Sequence, residues 1–218
     1  MPSKRRGERL IELALDALSR ALTESRAPWM VIGGIAVIAR GVRRFTTDID
    51  AAVRGDAIRP EKLLEIFRKH GIVPRIPDAL SFAQANLVLL LRHDESGVDL
   101  DVSFAWSAFE HEALAESTLV DFGSVKVPMC TATDLIIFKA VAGRAVDLAD
   151  AESLFALYPD IDVARARRRV TELSALAEAP RILEAFDELV ASQTTTIARR
   201  SVRTPRATSK KRRARRRQ

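Results

Sequence analysis

One cysteine, Cys130, is all that 218 residues contain, so an internal disulfide is excluded and a reducing, cytoplasmic compartment is expected. The three histidines (His70, His93, His111) are scattered, which leaves no Cys/His cluster for zinc. Any resident metal must therefore be held by carboxylates, the donors preferred by hard ions such as magnesium. Apolar runs long enough to span a bilayer are missing, as is a signal-peptide core at the N-terminus, so no membrane partner is expected. Acid is missing from the C-terminus: all 29 acidic residues lie at or before Glu188, while eleven lysines and arginines fall between Arg199 and Arg217. Without those eleven, 24 bases face 29 acids. The net charge of +6 and the pI of 10.0 thus describe a basic tail attached to an acidic body.

What is present is a globular composition, 47% hydrophobic and 29% charged. Residues 8–24 carry apolar positions at helical spacing. Trp29 to Ile32 reads as a short buried strand, Gly33-Gly34 as a turn, Ile35 to Arg40 as a helix closed by Gly41, and Asp48 to Val53 as a second strand. Pro60 to His70 reads as an amphipathic helix, with proline in its first turn and Gly71 beyond its end. Pro74 to Ser81 is expected to be an irregular loop. Asn86 to Arg92 and Val98 to Phe104 read as strands joined by a polar turn, and Trp29 and Trp106 as core. After a helix over 109–116, weak strands are expected at 118–122 and 125–128. From Thr131 the pattern is helical, opening on a Thr131/Asp134 cap and continuing near 147–157, 161–176 and 180–191.

These elements predict an α+β fold, a mixed sheet flanked by helices. The expected division is an α+β core with an N-terminal helix over 1–128, a helical segment packed on it over 129–191, and a disordered Arg/Lys-rich tail over 192–218.

The chemistry concentrates where apolar strands carry alternate acids. A period of two puts Asp48 and Asp50 on one strand face, with Ile49 and Ala51 turned into the core. Val98-Asp99-Leu100-Asp101-Val102 repeats the pattern. If the two strands are neighbours, a third carboxylate joins the first two, and their repulsion is relieved by a divalent cation. Two such ions, bridged by carboxylates, can activate an attacking hydroxyl and steady a leaving pyrophosphate. A glycine pair at a strand-to-helix turn suits phosphate, because its N–H groups are accessible and a side chain would obstruct approach.

Gly33-Gly34 followed by Asp48-Ile49-Asp50, with Asp99 and Asp101 on a later strand, resembles the nucleotidyltransferase superfamily of DNA polymerase β-like fold. Thr133 to Ala140 and the Gly143-Arg144-Ala145-Val146-Asp147-Leu148-Ala149-Asp150 segment resemble the minimal nucleotidyltransferases that include AbiEii-like toxins of type IV toxin–antitoxin systems. The resemblance spans about residues 28–155. It implies magnesium, as two ions with manganese as the alternative, held by Asp48, Asp50 and one of Asp101 or Asp99, Asp101 being preferred. It also implies triphosphate held by Gly33, Gly34 and Lys139, and a further acidic position at Asp147. Ile35 stands where many members have serine, and Val146 where a lysine commonly precedes the aspartate.

The expected function is transfer of a nucleoside monophosphate from an NTP to an acceptor hydroxyl. By resemblance the acceptor is RNA, including a tRNA 3′ end, and a cognate antitoxin is a partner. The competing expectations are an inactive nucleic-acid- or partner-binding module of the same fold, and a transferase acting on a small molecule or a protein. Taken alone, Lys139 is an ordinary helix lysine, and Arg144, Asp147 and Asp150 make an ordinary salt-bridge cluster. Arg43 and Arg44 read as a solvated loop. The tail suits non-specific contact with nucleic acid, without base stacking, since no aromatic residue is interleaved with its arginines.

Overall fold

The computed structural model describes residues 2–202, with side chains described for 7–193. Among them are seven strands: β1 (Trp29–Ile32), β2 (Asp48–Arg54), β3 (Ile72–Pro74), β4 (Val88–His93), β5 (Asp99–Ala105), β6 (Thr118–Phe122) and β7 (Val125–Met129). The helices are α1 (Pro2–Ser25), α2 (Gly33–Ala39), α3 (Pro60–Lys69), α4 (Ala79–Asn86), α5 (Ala108–Glu116), α6 (Ala132–Ala142), α7 (Ala145–Leu157), α8 (Val163–Leu176) and α9 (Arg181–Val202). All seven strands join one mixed sheet in the order β3-β4-β5-β2-β1-β7-β6. The β2·β5 and β1·β7 pairs are parallel and the others antiparallel. The expected α+β class with a mixed sheet is the observed one.

The elements form where patterning and end signals agree. In α1, Ile11, Leu15, Leu18 and Leu22 make one buried stripe. Pro60 opens α3 and Gly71, at φ +67°, follows its end. The Thr131 hydroxyl accepts the Asp134 N–H at 3.2 Å and caps α6. A single apolar core runs from α1 and the sheet through Leu135 and Ile136 of α6 to Leu154 of α7 and Phe186 of α9.

Three expectations need correction. The stretch 74–81 is not wholly irregular, because β3 and the start of α4 fall within or beside it. β3 is a three-residue edge strand ending in proline, and α4 buries only Ala79 and Ala83. Neither is long or periodic enough to leave a signature. α4 also takes Asn86, so β4 begins at Val88. Trp106 is not core but 63% exposed, because it lies just past the end of β5, where the chain leaves the sheet. Trp29 does pack against the core.

The last helix, α9, runs past Ala191 to Val202. Of the tail expected over 192–218, α9 takes 192–202, while the residues from Arg203 onward and the side chains of 194–202 lie outside the described residues. Among the described residues, no helix is long and apolar enough to cross a membrane.

Candidate active site

The parallel register of β2 on β5 sets Asp48 opposite Asp99 and Asp50 opposite Asp101. With a period of two, all four carboxylates share one face of the sheet, while Ile49 and Leu100 are fully buried on the other. The neighbouring strand β1 runs antiparallel to β2 and brings Ile32 opposite Asp50, so the chain turns into α2 directly above that carboxylate. Gly33, at φ +61°, occupies this turn, and a Cβ there would overlap the Asp50 carboxylate. The Gly34 N–H donates to Asp50. A Cβ on Gly34 would in turn lie 2.6 Å from Thr46 Oγ1. Both glycines are therefore required by close approach, Gly33 to a carboxylate and Gly34 to the loop that precedes β2.

Asp50 is the electrostatically stressed member. Burial pushes its carboxyl above the ordinary range, the charges of Asp48 and Asp101 push it further, and the Gly34 N–H and Lys139 oppose the rise. Asp48 is exposed and accepts from Thr46 Oγ1 at 2.6 Å. Asp101 pairs with Arg75 at 2.6 Å. Asp99 pairs with Arg92 at 2.7 Å, which holds its carboxyl below the ordinary range. Among the described residues, no three acidic, histidine or cysteine side chains are gathered as a metal-holding group. Asp48, Asp50 and Asp101 thus share a face without converging on one point. An all-oxygen donor set with unrelieved like charge at Asp50 nevertheless fits a hard divalent cation.

Beside this face lies a second cluster. Lys139 of α6 is buried and lies 2.8 Å from Asp147 Oδ1 and 3.1 Å from Asp150 Oδ2, both on α7. Arg44, in the loop before β2, closes the cluster by pairing with Asp150. Arg144 bonds Asp147 Oδ2 at 2.5 Å with its side chain 73% exposed. Burial pushes the Asp147 carboxyl up, but Arg144 and Lys139 together hold it below the ordinary range. The Arg144 guanidinium is held more firmly protonated by Asp147 first, and further by Asp50 and Asp48. Lys139 is therefore spent on two carboxylates, and Arg144 is the solvent-facing cation of the cluster.

Sequence reasoning left three of these participants without a role in the site. Arg75 was hidden in the stretch taken for an irregular loop. Arg44 and Asp150 are adjacent only through the α7 packing, and the one signal for Asp150 was its place in the Arg144 to Asp150 segment.

The Gly33-Gly34 turn is thus held against carboxylates that lie in register on two parallel strands. Residues 8–192 match the family described as nucleotidyltransferase of unknown function (DUF6036). The chain belongs to that family and is a nucleotidyltransferase, an enzyme moving a nucleoside monophosphate onto an acceptor. Among solved structures, ANT(2″)-Ia in complex with adenylyl-2″-tobramycin is 19% identical, the match covering 77% of this chain and 99% of that one at a TM-score of 0.51. JHP933 from Helicobacter pylori is 15% identical, covering 93% of this chain and 96% of that one at a TM-score of 0.48. The likeness to ANT(2″)-Ia is one of fold. No curated protein matches the chain.

Proposed function

We propose that the chain transfers a nucleoside monophosphate from an NTP to an RNA hydroxyl in a magnesium-dependent reaction. The observation that carries the reading is the β2·β5 register, which lines up Asp48/Asp99 and Asp50/Asp101 beneath the Gly33-Gly34 turn. Asp48, Asp50 and Asp101 are the residues that would hold magnesium, manganese being the alternative, and the ion would supply charge for a departing pyrophosphate and a more acidic attacking hydroxyl. Asp101 is preferred to Asp99 because it stands opposite the half-buried Asp50 and adds its charge there, each of the two being paired with an arginine, Arg75 and Arg92. Gly33 and Gly34 would meet phosphate through the backbone of their turn, the missing side chains making room for Asp50 and Thr46. Lys139 acts from behind, fixing Asp147, and Asp147 in turn fixes Arg144 where a triphosphate can meet it.

RNA is favoured as acceptor by the eleven bases of the C-terminal tail, a counterion-release surface for polyanions. The toxin-like role, with a cognate antitoxin as partner, rests on the resemblance of the Thr133 to Asp150 stretch. We divide the chain accordingly into a catalytic core over 1–128, a helical support over 129–191 and a nucleic-acid-contacting tail over 192–218.

Incubation with each labelled NTP, magnesium and total RNA tests the proposal. Label should appear on RNA and vanish in Asp48→Ala. Labelled small molecules or protein with unlabelled RNA would replace the acceptor, and no NTP binding in the presence of magnesium would end the catalytic reading.

A further inference from the structure

Among the described residues Phe45 is the most exposed large apolar side chain, at 70%, and it stands three positions before Asp48. The backbone on either side of it is fastened. Arg44 pairs with Asp150 of α7, and Thr46 bonds Asp48. An aromatic ring is thus held in water beside the carboxylate face, where a flexible loop could have folded it away. The ring borders a groove of about 950 Å³ lined also by Arg43, Ile35, Ile38 and Phe122, with Glu8 and Glu12 among its walls. Apolar walls edged by two carboxylates and by Arg43 and Arg44 suit a flat ring with polar edges.

We propose that Phe45 is a stacking platform for a nucleobase, with the groove as the pocket that base enters. This rests on the nucleotidyl-transfer reading, since that reaction places a nucleotide at Asp48 and Asp50, and Thr46, the neighbour of Phe45, bonds Asp48. Stacking on an aromatic face is tolerant of base identity. The site accordingly takes nucleobases as a class, carried either by the NTP or by the RNA acceptor.

The test is calorimetric titration of the full chain, with magnesium, using ATP, GTP, CTP, UTP, inorganic tripolyphosphate and a mixed-sequence single-stranded RNA oligonucleotide. Phe45→Ala and Phe45→Leu should each weaken the base-bearing ligand about tenfold, with Phe45→Tyr and tripolyphosphate binding unchanged. Weakening of NTPs assigns the base to the donor, and weakening of the oligonucleotide assigns it to the acceptor. The proposal is overturned if Phe45→Ala binds every ligand as the parent does, if Leu restores binding, if Tyr fails to, or if tripolyphosphate weakens equally. A parent chain that binds neither NTP nor oligonucleotide overturns the nucleotidyl-transfer reading as well. A parent that binds while Phe45→Ala is unaffected leaves that reading standing and removes only the stacking site.

Discussion

Two acidic regions lie side by side in this protein and are resolved in opposite ways. On β2 and β5, Asp48 and Asp50 have no basic side chain bonded to them among the described residues, and the burial of Asp50 is opposed by one backbone N–H and by the unbonded charges of Lys139 and Arg144. On α7, Asp147 and Asp150 are nearly as secluded as side chains can be, yet each is bonded by two cations. The second region carries its own compensation and stays together without a ligand. The first is left incomplete by the chain, which is the condition of a surface that expects charge from outside. The same reasoning separates the members of the first region, since Asp99 and Asp101 each already have an arginine.

The largest effects that break this contrast fall on activity. Asp48→Ala should lower nucleotidyl transfer by at least about 10³-fold, the several kcal/mol of transition-state charge stabilisation that a metal site contributes, as measured by label incorporation. Asp101→Asn should behave alike, whereas Asp99→Asn should keep most activity; equal losses would make both aspartates part of the site.

Next comes stability. Lys139→Met leaves two buried carboxylates with one arginine each and should cost at most about 3–5 kcal/mol, read from urea unfolding. Asp50→Asn should do the reverse. A carboxyl whose pKa is raised by folding stabilises the fold when protonated and loses that contribution as pH rises through the folded value. Above it, the amide is the better occupant. In chelator, Asp50→Asn should melt higher near pH 7 by about 2–4 °C, the shift of about 1 kcal/mol in a domain of this size. The gain should shrink to nothing as pH falls below the ordinary carboxyl value of 3.8. A constant gain at all pH values would show that charge is not its source. The smallest effect belongs to Arg92→Ala, whose solvent-screened pair with Asp99 should leave the urea midpoint almost unmoved.

Much of the carboxylate region was legible in the sequence because strand periodicity and the glycine pair are local signals. Asp50, Asp99 and Asp101 each stand between apolar neighbours and Asp48 is followed by one, so the shared face follows from counting by twos once the strands adjoin. The cation partners were less legible. Arg75 follows a three-residue strand with no pattern of its own, and Arg44 meets Asp150 only because α7 folds back over the loop before β2. The flanks of Lys139, namely Phe138, Ala140 and Val141, mark a largely buried helix, while the lysine itself reads as an ordinary helix lysine. That its charge would be consumed by two aspartates depends on the turn at Gly143, where φ is +65° and the chain reverses between α6 and α7. Trp106 failed for a related reason: apolar neighbours in sequence do not report that a strand has just ended.

The four-residue strand β1 has one partner close in the chain, β2, and another, β7, that arrives much later, with Val31 set against Met129. During synthesis Trp29 to Ile32 is therefore an apolar edge awaiting a strand not yet made, and pairing at such long separation is slow to form. A chain stopped before Val125 should aggregate through that edge even though every carboxylate of the β2·β5 face is already present. The order of folding thus makes solubility, as well as chemistry, depend on residues far downstream of the glycine turn.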